Sequence, residues 1–414
     1  MLRLGHFIAL IALCLLTIGV VMVNSADMRV ASPSGENVAP AITAESILLS
    51  RSTIYMALAL GAMCIGAMLP VRRFAESLDA GGAASGFFAP ARLGGHEGGV
   101  LSPAARGLLI ASLALVAVCA LVYVPGLSKE INGARRWLRL PVPGLGDALS
   151  VQPSEIAKWG MVGLLAWYGA AAAPRIHRFW GGLVPALLCI GGVSALIVKE
   201  DLGTGVLIAG VSSLVLIAAG ARLWQFMIFA PLAVAGVVFA ILTSDYRVKR
   251  ILAFVDPYAD PQGIGYHTIQ SLIAIANGEG WGRGLGHGLQ KFGYLPEDRT
   301  DFIFPIICEE LGIAGAGVVC LLFAALMACG WSIVRREPLA ALRLFAFGVI
   351  ATIGLQAVIN LAVVTGLAPT KGIALPLLSS GGTGWILTSF CLGLVISIER
   401  TQDAPDHSRA LAAA

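Results

Sequence analysis

Asp301 stands where a polar run, Tyr294-Leu295-Pro296-Glu297-Asp298-Arg299-Thr300, enters an apolar stretch beginning at Phe302. A carboxylate at such a boundary is partly desolvated, which raises its proton affinity and suits a general base; its other use would be as an N-cap or N-terminal charge of the helix that follows. Glu155 and Lys158, in Gln152-Pro153-Ser154-Glu155-Ile156-Ala157-Lys158, are three apart, so on a helix they share a face and can pair. Such a pair either locks the helix to a neighbour or helps to line a cavity. Asp201, within Lys199-Glu200-Asp201-Leu202-Gly203-Thr204-Gly205, either caps a helix or reaches a ligand or metal ion. Gln356 and Asn360 lie one turn apart on one face, and Lys371 sits in the break Pro369-Thr370-Lys371-Gly372. Irregular backbone at membrane depth is tolerated only when buried in protein or lining a cavity, so Lys371 is placed either for a phosphate or in a tight turn near the surface. Ser379-Ser380-Gly381-Gly382-Thr383-Gly384 forms a second break, while Glu309 and Glu310 lie deeper and are expected to bond within the bundle.

The elements that must position these groups are membrane helices. The 414 residues are 57% hydrophobic and 13% charged, with a mean hydropathy of +0.84. A soluble domain needs about a quarter of its residues charged, so water is not the main solvent. Charge at bilayer depth costs at least about 2.5 kcal/mol on insertion scales, which marks the ionisable groups above as functional suspects. The pattern predicts an all-α integral membrane protein with ten spans, near 6–24, 53–70, 106–126, 155–172, 179–198, 203–220, 223–242, 302–331, 342–365 and 373–397, since about twenty apolar residues cross a bilayer. The first, behind Arg3, reads as a retained signal-anchor. Residues 1–400 form one polytopic domain in this reading. It has a flexible cytoplasmic loop at 71–105, a polar outer loop at 31–49, a large periplasmic loop at 243–301 and a short cytoplasmic tail at 401–414. The 50 glycines suit close helix packing.

Arg72, Arg73, Arg92, Arg175, Arg178, Arg222, Arg335, Arg336 and Arg400 fall on one side of this arrangement, which should be the cytoplasm and should hold both termini. Two outer loops break the bias. Loop 127–153 carries Arg135 and Arg136, and loop 243–301 carries Arg247 and Arg250. Long loops escape the rule, but outer-face cations also suit an anionic ligand such as a lipid pyrophosphate, whose oxygens Arg forks bind in pairs. A net charge of +4 does not imply nucleic-acid binding. The eight cysteines fall in apolar segments with no zinc-ligand spacing and read as small core residues. The glycine-rich run from Gly278 to Gly288 has no preceding strand or βαβ context and is not a dinucleotide loop.

An ordered set of motifs carries a resemblance. It runs Asn132-Gly133-Ala134-Arg135-Arg136-Trp137, Gln152-Pro153-Ser154-Glu155 with Lys158, Glu200-Asp201-Leu202-Gly203-Thr204, and Tyr246-Arg247 with Arg250. Tyr294-Leu295-Pro296-Glu297, Thr300-Asp301-Phe302-Ile303-Phe304, Glu309-Glu310-Leu311-Gly312, Pro369-Thr370-Lys371-Gly372 and Leu375-Pro376-Leu377 follow. Over residues 100–400 the chain resembles the SEDS family (shape, elongation, division and sporulation), which includes FtsW, RodA and SpoVE. Gln290-Lys291 and Pro369–Gly372 are nearer its division-associated FtsW branch, whereas Tyr266-His267-x-Ile269-Gln270-Ser271 leans to the elongation-associated RodA branch. Arg299, Ser380 and Thr383-Gly384 depart from the family's usual His, Tyr and Ser-Ser, and residues 1–100 match poorly.

The resemblance implies a SEDS-type bundle with a large outer loop between the seventh and eighth spans. It implies polymerisation of lipid II into glycan strands, joined MurNAc-β-1,4-GlcNAc, with release of undecaprenyl pyrophosphate during septal wall synthesis. Asp301 would then be the catalytic base, and Arg135, Arg136, Arg247, Arg250 and Lys371 the candidates to bind the pyrophosphate. Glu155, Lys158 and Asp201 would organise the cavity. The metal is left open: a divalent cation, Mg2+ or Mn2+, would suit the leaving group. The implied partners are a class B penicillin-binding protein and other division proteins, at the septal inner membrane. Lipid II flipping, other transport and a non-catalytic scaffold are the alternative functions, and an elongation enzyme is the alternative branch.

Overall fold

A computed structural model describes residues 3–27, 47–48, 50–80, 102–124, 126–131, 134–139, 150–173 and 175–402. The segment 31–46, most of the loop 71–105 including Arg92, Asn132-Gly133 and the tail beyond 402 lie outside the described residues. The helices, in chain order, are α1 (Leu4–Ala26), α2 (Arg51–Met68), α3 (Val71–Ala80), α4 (Pro103–Ala120), α5 (Pro153–Ala171), α6 (Val184–Glu200), α7 (Leu202–Ala218), α8 (Leu223–Leu242), α9 (Asp245–Val255), α10 (Tyr266–Asn277), α11 (Ile303–Arg336), α12 (Ala340–Val364) and α13 (Gly382–Thr401). Eight of the described helices, some lengthened by an adjoining turn, are long and apolar enough to cross a membrane. Of the other two expected spans, α7 is one residue shorter than those eight require, and α5 has the length but contains Glu155 and Lys158. These ten helices occupy the places of the ten apolar segments. The chain is a multi-pass helical membrane protein.

The helical architecture carries one small addition: β1 (Ser128–Ile131), β2 (Ala134–Arg139) and β3 (Ser150–Val151) form an antiparallel sheet in the order β1-β2-β3, with Lys129 opposite Trp137 and Leu138 opposite Val151. The large connection 243–301 contains α9 and α10. One boundary needs correction. The last helix begins at Gly382 rather than near 373. The apolar run Ile373–Leu378 is buried but not helical, and Pro376 and the left-handed Leu377 (φ 63°) account for that.

Close helix contact is allowed by small residues, as membrane bundles require. A Cβ on Gly66 of α2 would fall 2.5 Å from the Phe390 carbonyl of α13, and one on Gly393 would collide with the Met63 carbonyl. The start of α1 meets the end of α13, where Arg3 Nη1 lies 3.4 Å from the Arg400 carbonyl oxygen. At the other end of α1, Ser25 Oγ donates to Glu310 of α11. The bundle therefore has an Arg3–Arg400 end and an opposite end at which Lys291, Glu310 and the loop before α11 gather. α8 stands apart, with Gln225 its single buried residue.

At that second end α11 is kinked at Gly312 (φ 65°, ψ −165°), a conformation that favours glycine. The glycine-rich run supplies hydrogen bonds around this kink. Arg283 and Gly284 amides donate to the Glu309 and Glu310 carbonyls at 2.9 and 3.0 Å, and Ile313 N donates to Glu279 O at 3.0 Å. The same run caps two buried carboxylates: Gly286 N donates to Glu310 Oε2 at 2.9 Å, and Leu289 N to Glu309 Oε1 at 2.9 Å. Lys291 completes the clamp through Glu310 Oε1 at 2.7 Å.

Candidate active site

Asp301 occupies the turn before α11 and is partly buried. Its main-chain carbonyl accepts from Asn360 Nδ2 of α12 at 2.8 Å, which ties the turn to the bundle. Its carboxylate rests over Gly372 in the extended segment between α12 and α13. A Cβ there would lie 2.9 Å from Asp301 Oδ2 and 3.8 Å from Arg136 Nη1. Arg136 projects from β2, donates through Nε to the Glu200 carbonyl at 3.0 Å, and pairs with Asp201 Oδ2 at 3.6 Å. Asp201 also caps α7, accepting from the Thr204 amide and hydroxyl at 3.0 Å each. The two uses considered for Asp201, helix cap and site carboxylate, are thus compatible.

Burial pushes Asp301 up to about 7, assisted by the negative charges of Glu297 and Asp201 and opposed by Arg136 and Arg250. A base poised near neutrality can take a proton from an alcohol as its oxygen becomes a nucleophile. Asp298 rises to about 6, chiefly through burial, with Arg299 opposing.

The five candidate cations divide by what they touch. Arg250 of α9 donates to the Thr370 carbonyl at 3.0 Å and contacts the Tyr246 hydroxyl, its guanidinium 4.4 Å from that ring's centroid. It thereby braces the segment bearing Lys371 and Gly372. Lys371 is half-buried, and among the described residues its ammonium has no hydrogen bond or ion pair. Its pKa is lowered by burial and by the charge of Arg247, while Asp201 acts in the opposite sense. Arg247 spends its donors on the Ala240, Val198 and Lys199 carbonyls at 2.7–2.9 Å, joining α8 and α9 to the end of α6. Arg135 is exposed and pairs with Glu130 at 3.4 Å, because neighbours on a strand point to opposite faces. The structure brings the Arg136 side chain to Asp301, whereas the Arg135 side chain is exposed and turns to Glu130.

Glu155 and Lys158 pair at 2.7 Å, and Lys158 Nζ continues to Gln356 Oε1 at 3.1 Å. Gln356 Nε2 then donates to the Ala374 carbonyl at 2.8 Å, two residues past Gly372. The pair thus both locks helices together and supports the segment under Asp301. Two contributors escaped the sequence reading. Glu297, in a left-handed conformation (φ 58°), turns the chain into Thr300 and Phe302 through its carbonyl and adds charge near Asp301. Gly372 was visible only as part of a motif; a glycine after a lysine in a broken membrane segment is the signal that could have marked a close approach. Among the described residues no cluster of three or more His, Cys, Asp or Glu side chains is placed to hold a metal ion.

The fold is that of a helical membrane protein, and one end of its bundle gathers Asp301, Arg136, Arg250 and the half-buried Lys371. Residues 100–404 match the model of the FtsW/RodA/SpoVE family, described as cell cycle protein, and the chain belongs to that family, falling with its FtsW-type members. It is 40% identical over 281 residues to stage V sporulation protein E of Bacillus subtilis, covering 68% of this chain and 75% of that protein. It is 32% identical over 394 residues to the probable peptidoglycan glycosyltransferase FtsW of Geobacter metallireducens, covering 94% and 93%. Among solved structures, a chain from work described as structural coordination of polymerization and crosslinking by a peptidoglycan synthase complex superposes with a TM-score of 0.65 at 27% identity, covering 96% of this chain and 98% of that one. Thermus thermophilus RodA superposes at 0.58 with 22% identity, a likeness of fold.

Proposed function

We propose that this protein is a peptidoglycan glycosyltransferase that polymerises lipid II at the outer face of the membrane, with Asp301 as its general base. The observation that carries the base assignment is the seating of the Asp301 carboxylate over Gly372 and beside the Arg136–Asp201 pair. In the step, Asp301 takes the proton of the acceptor GlcNAc 4-hydroxyl while that oxygen bonds to the donor MurNAc anomeric carbon. The bond from that carbon to the pyrophosphate oxygen breaks, its electron pair leaves with undecaprenyl pyrophosphate, and inversion gives the β-1,4 link. No leaving-group proton is needed, so a single base suffices. Developing charge on the pyrophosphate is met by Lys371 and Arg136, with Arg250 holding the segment in place.

Mg2+ is commonly held by one or two carboxylates together with substrate phosphates, and Asp201 and Asp301 are the pair on offer here. If bound, the ion would neutralise pyrophosphate charge. The end bearing Asp301 faces outward in this reading, with both termini in the cytoplasm. The solved relative described with polymerization and crosslinking supports a crosslinking partner, read here as a class B penicillin-binding protein at the division septum.

The test is polymerisation of purified lipid II by the detergent-solubilised protein with its transpeptidase partner. Wild type makes glycan chains and Asp301→Asn makes none while remaining folded. Chains of normal length from Asp301→Asn would remove the base assignment; no chains from active-partner wild type would favour transport.

A further inference from the structure

Asn360 is buried on α12, and its one amide nitrogen donates to two carbonyls from separate segments, Asp301 at 2.8 Å and Ile373 at 2.7 Å. Because both acceptors are carbonyls, only the NH2 side of the amide can face them. Its Oδ1 is left buried without a hydrogen-bond partner among the described residues. Buried polar atoms are normally satisfied, so an amide chosen for packing alone would be replaced by an apolar side chain of similar size. One turn earlier, Gln356 pins the Ala374 carbonyl, but it does not reach Asp301. Asn360 therefore joins the two segments whose side-chain contact is Asp301 against Gly372.

We propose that Asn360 is a positioning residue for the glycosyl transfer: by holding the main chain of Asp301 and Ile373 at one point, it fixes the carboxylate over Gly372 and beside Arg136. It acts through the backbone of Asp301 and touches no substrate. The inference rests on the reading of Asp301 as the base. The charges facing that carboxylate come from four elements: Glu297 of its own turn, Asp201 at the head of α7, Arg136 of β2 and Arg250 of α9. Release of the clamp therefore lets the carboxylate leave its place among these groups.

The experiment compares wild type, Asn360→Asp, Asn360→Ser and Asp301→Asn as full chains with the transpeptidase partner, using lipid II as substrate. Asn360→Asp keeps the shape but replaces both donors with an acceptor; Asn360→Ser keeps one donor on a shorter arm. The expected result is a fall in kcat of about 10- to 100-fold, the scale of a small misplacement of a reacting group. KM for lipid II stays within about twofold, because the misplaced group belongs to the chemical step. Thermal melting separates folding from function, and Asn360→Ser serves where Asn360→Asp does not fold. Activity lost only in proportion to folded protein, with kcat per folded molecule unchanged, would reduce Asn360 to packing and overturn the proposal. So would wild-type kcat in a folded variant. If Asp301→Asn stays active, the base reading fails and the positioning role falls with it; if Asp301→Asn is dead while the Asn360 variants behave as wild type, only the positioning role fails.

Discussion

A Cβ on Gly372 would lie 2.9 Å from Asp301 Oδ2, closer than ordinary carbon–oxygen contact. The carboxylate can occupy its place beside Arg136 only because position 372 has no side chain. Gly372→Ala is therefore expected to lower kcat by about 100-fold, since displacements near 1 Å cost that much. Melting temperature should barely change, as the added methyl meets the end of a side chain and not backbone. Turnover of lipid II by the folded variant checks this; wild-type turnover would show that the carboxylate works from elsewhere.

The pH dependence has a defined sign. Asp301 must be deprotonated to accept a proton, so the rate should rise with pH through about 7. Glu297 raises this value and Arg136 lowers it. Glu297→Gln should therefore move the acid limb to lower pH, and Arg136→Gln should move it to higher pH. Profiles of kcat/KM for the three proteins test the order, and a reversed order would contradict the assigned charges.

The same shift bears on stability. A carboxyl whose folded pKa is raised contributes stability that is fully present below its unfolded pKa and is lost as pH rises through the folded value. Asp301 thus destabilises the protein at neutral and alkaline pH. Asp301→Asn is expected to raise the melting temperature at pH 8 relative to wild type, with the gain shrinking toward pH 5. A gain independent of pH would point to packing instead of charge.

Much of this site could be read before any coordinates. The apolar segments follow from hydropathy, and the three-residue spacing of Glu155 and Lys158 leads directly to their 2.7 Å pair. What could not be read depends on contacts between distant segments. Nothing local distinguishes Arg135 from Arg136; strand alternation does, and the short strands of a polar loop give no hydrophobic period to reveal it. The apolar run Ile373–Leu378 looks like the start of a span, yet Pro376 and the left-handed Leu377 keep it irregular, and Gln356 and Asn360 satisfy the carbonyls of Ala374 and Ile373. The glycine run Gly278–Gly288 gave no functional signal because its purpose is set by a kink at Gly312, reached only after the chain folds back.

The cations make separable predictions. Lys371 has an uncommitted ammonium among the described residues, so Lys371→Gln should reduce kcat/KM for lipid II by about 10- to 100-fold, matching a charge-assisted hydrogen bond of about 1.5–3 kcal/mol. Arg247→Gln removes three carbonyl bonds between helices and should lower thermal stability more than turnover per folded molecule. Arg135→Gln breaks an exposed pair worth about 1 kcal/mol or less and should leave both nearly unchanged. Equal effects at all three positions would mean that the arginines share the pyrophosphate, and the division by contact would be wrong.

Lys291 tests the support behind the site. Its ammonium lies 2.7 Å from Glu310 Oε1 and 3.0 Å from Ser25 Oγ, and Glu309 and Glu310 are both 0% exposed. Backbone amides of residues 286–290 cap the two carboxylates, but Lys291 is the cation that directly pairs with Glu310 in this cluster. Removing one partner of a buried pair leaves an uncompensated charge and costs about 3–5 kcal/mol. Lys291→Met should therefore destabilise strongly and loosen the glycine-rich loop from the Gly312 kink. Adding Glu310→Gln removes the stranded charge, so the double variant should recover part of the loss, a non-additivity expected only for groups in direct contact. Additive losses in the melting cycle would show that the clamp is held by the amides, with the ion pair contributing little.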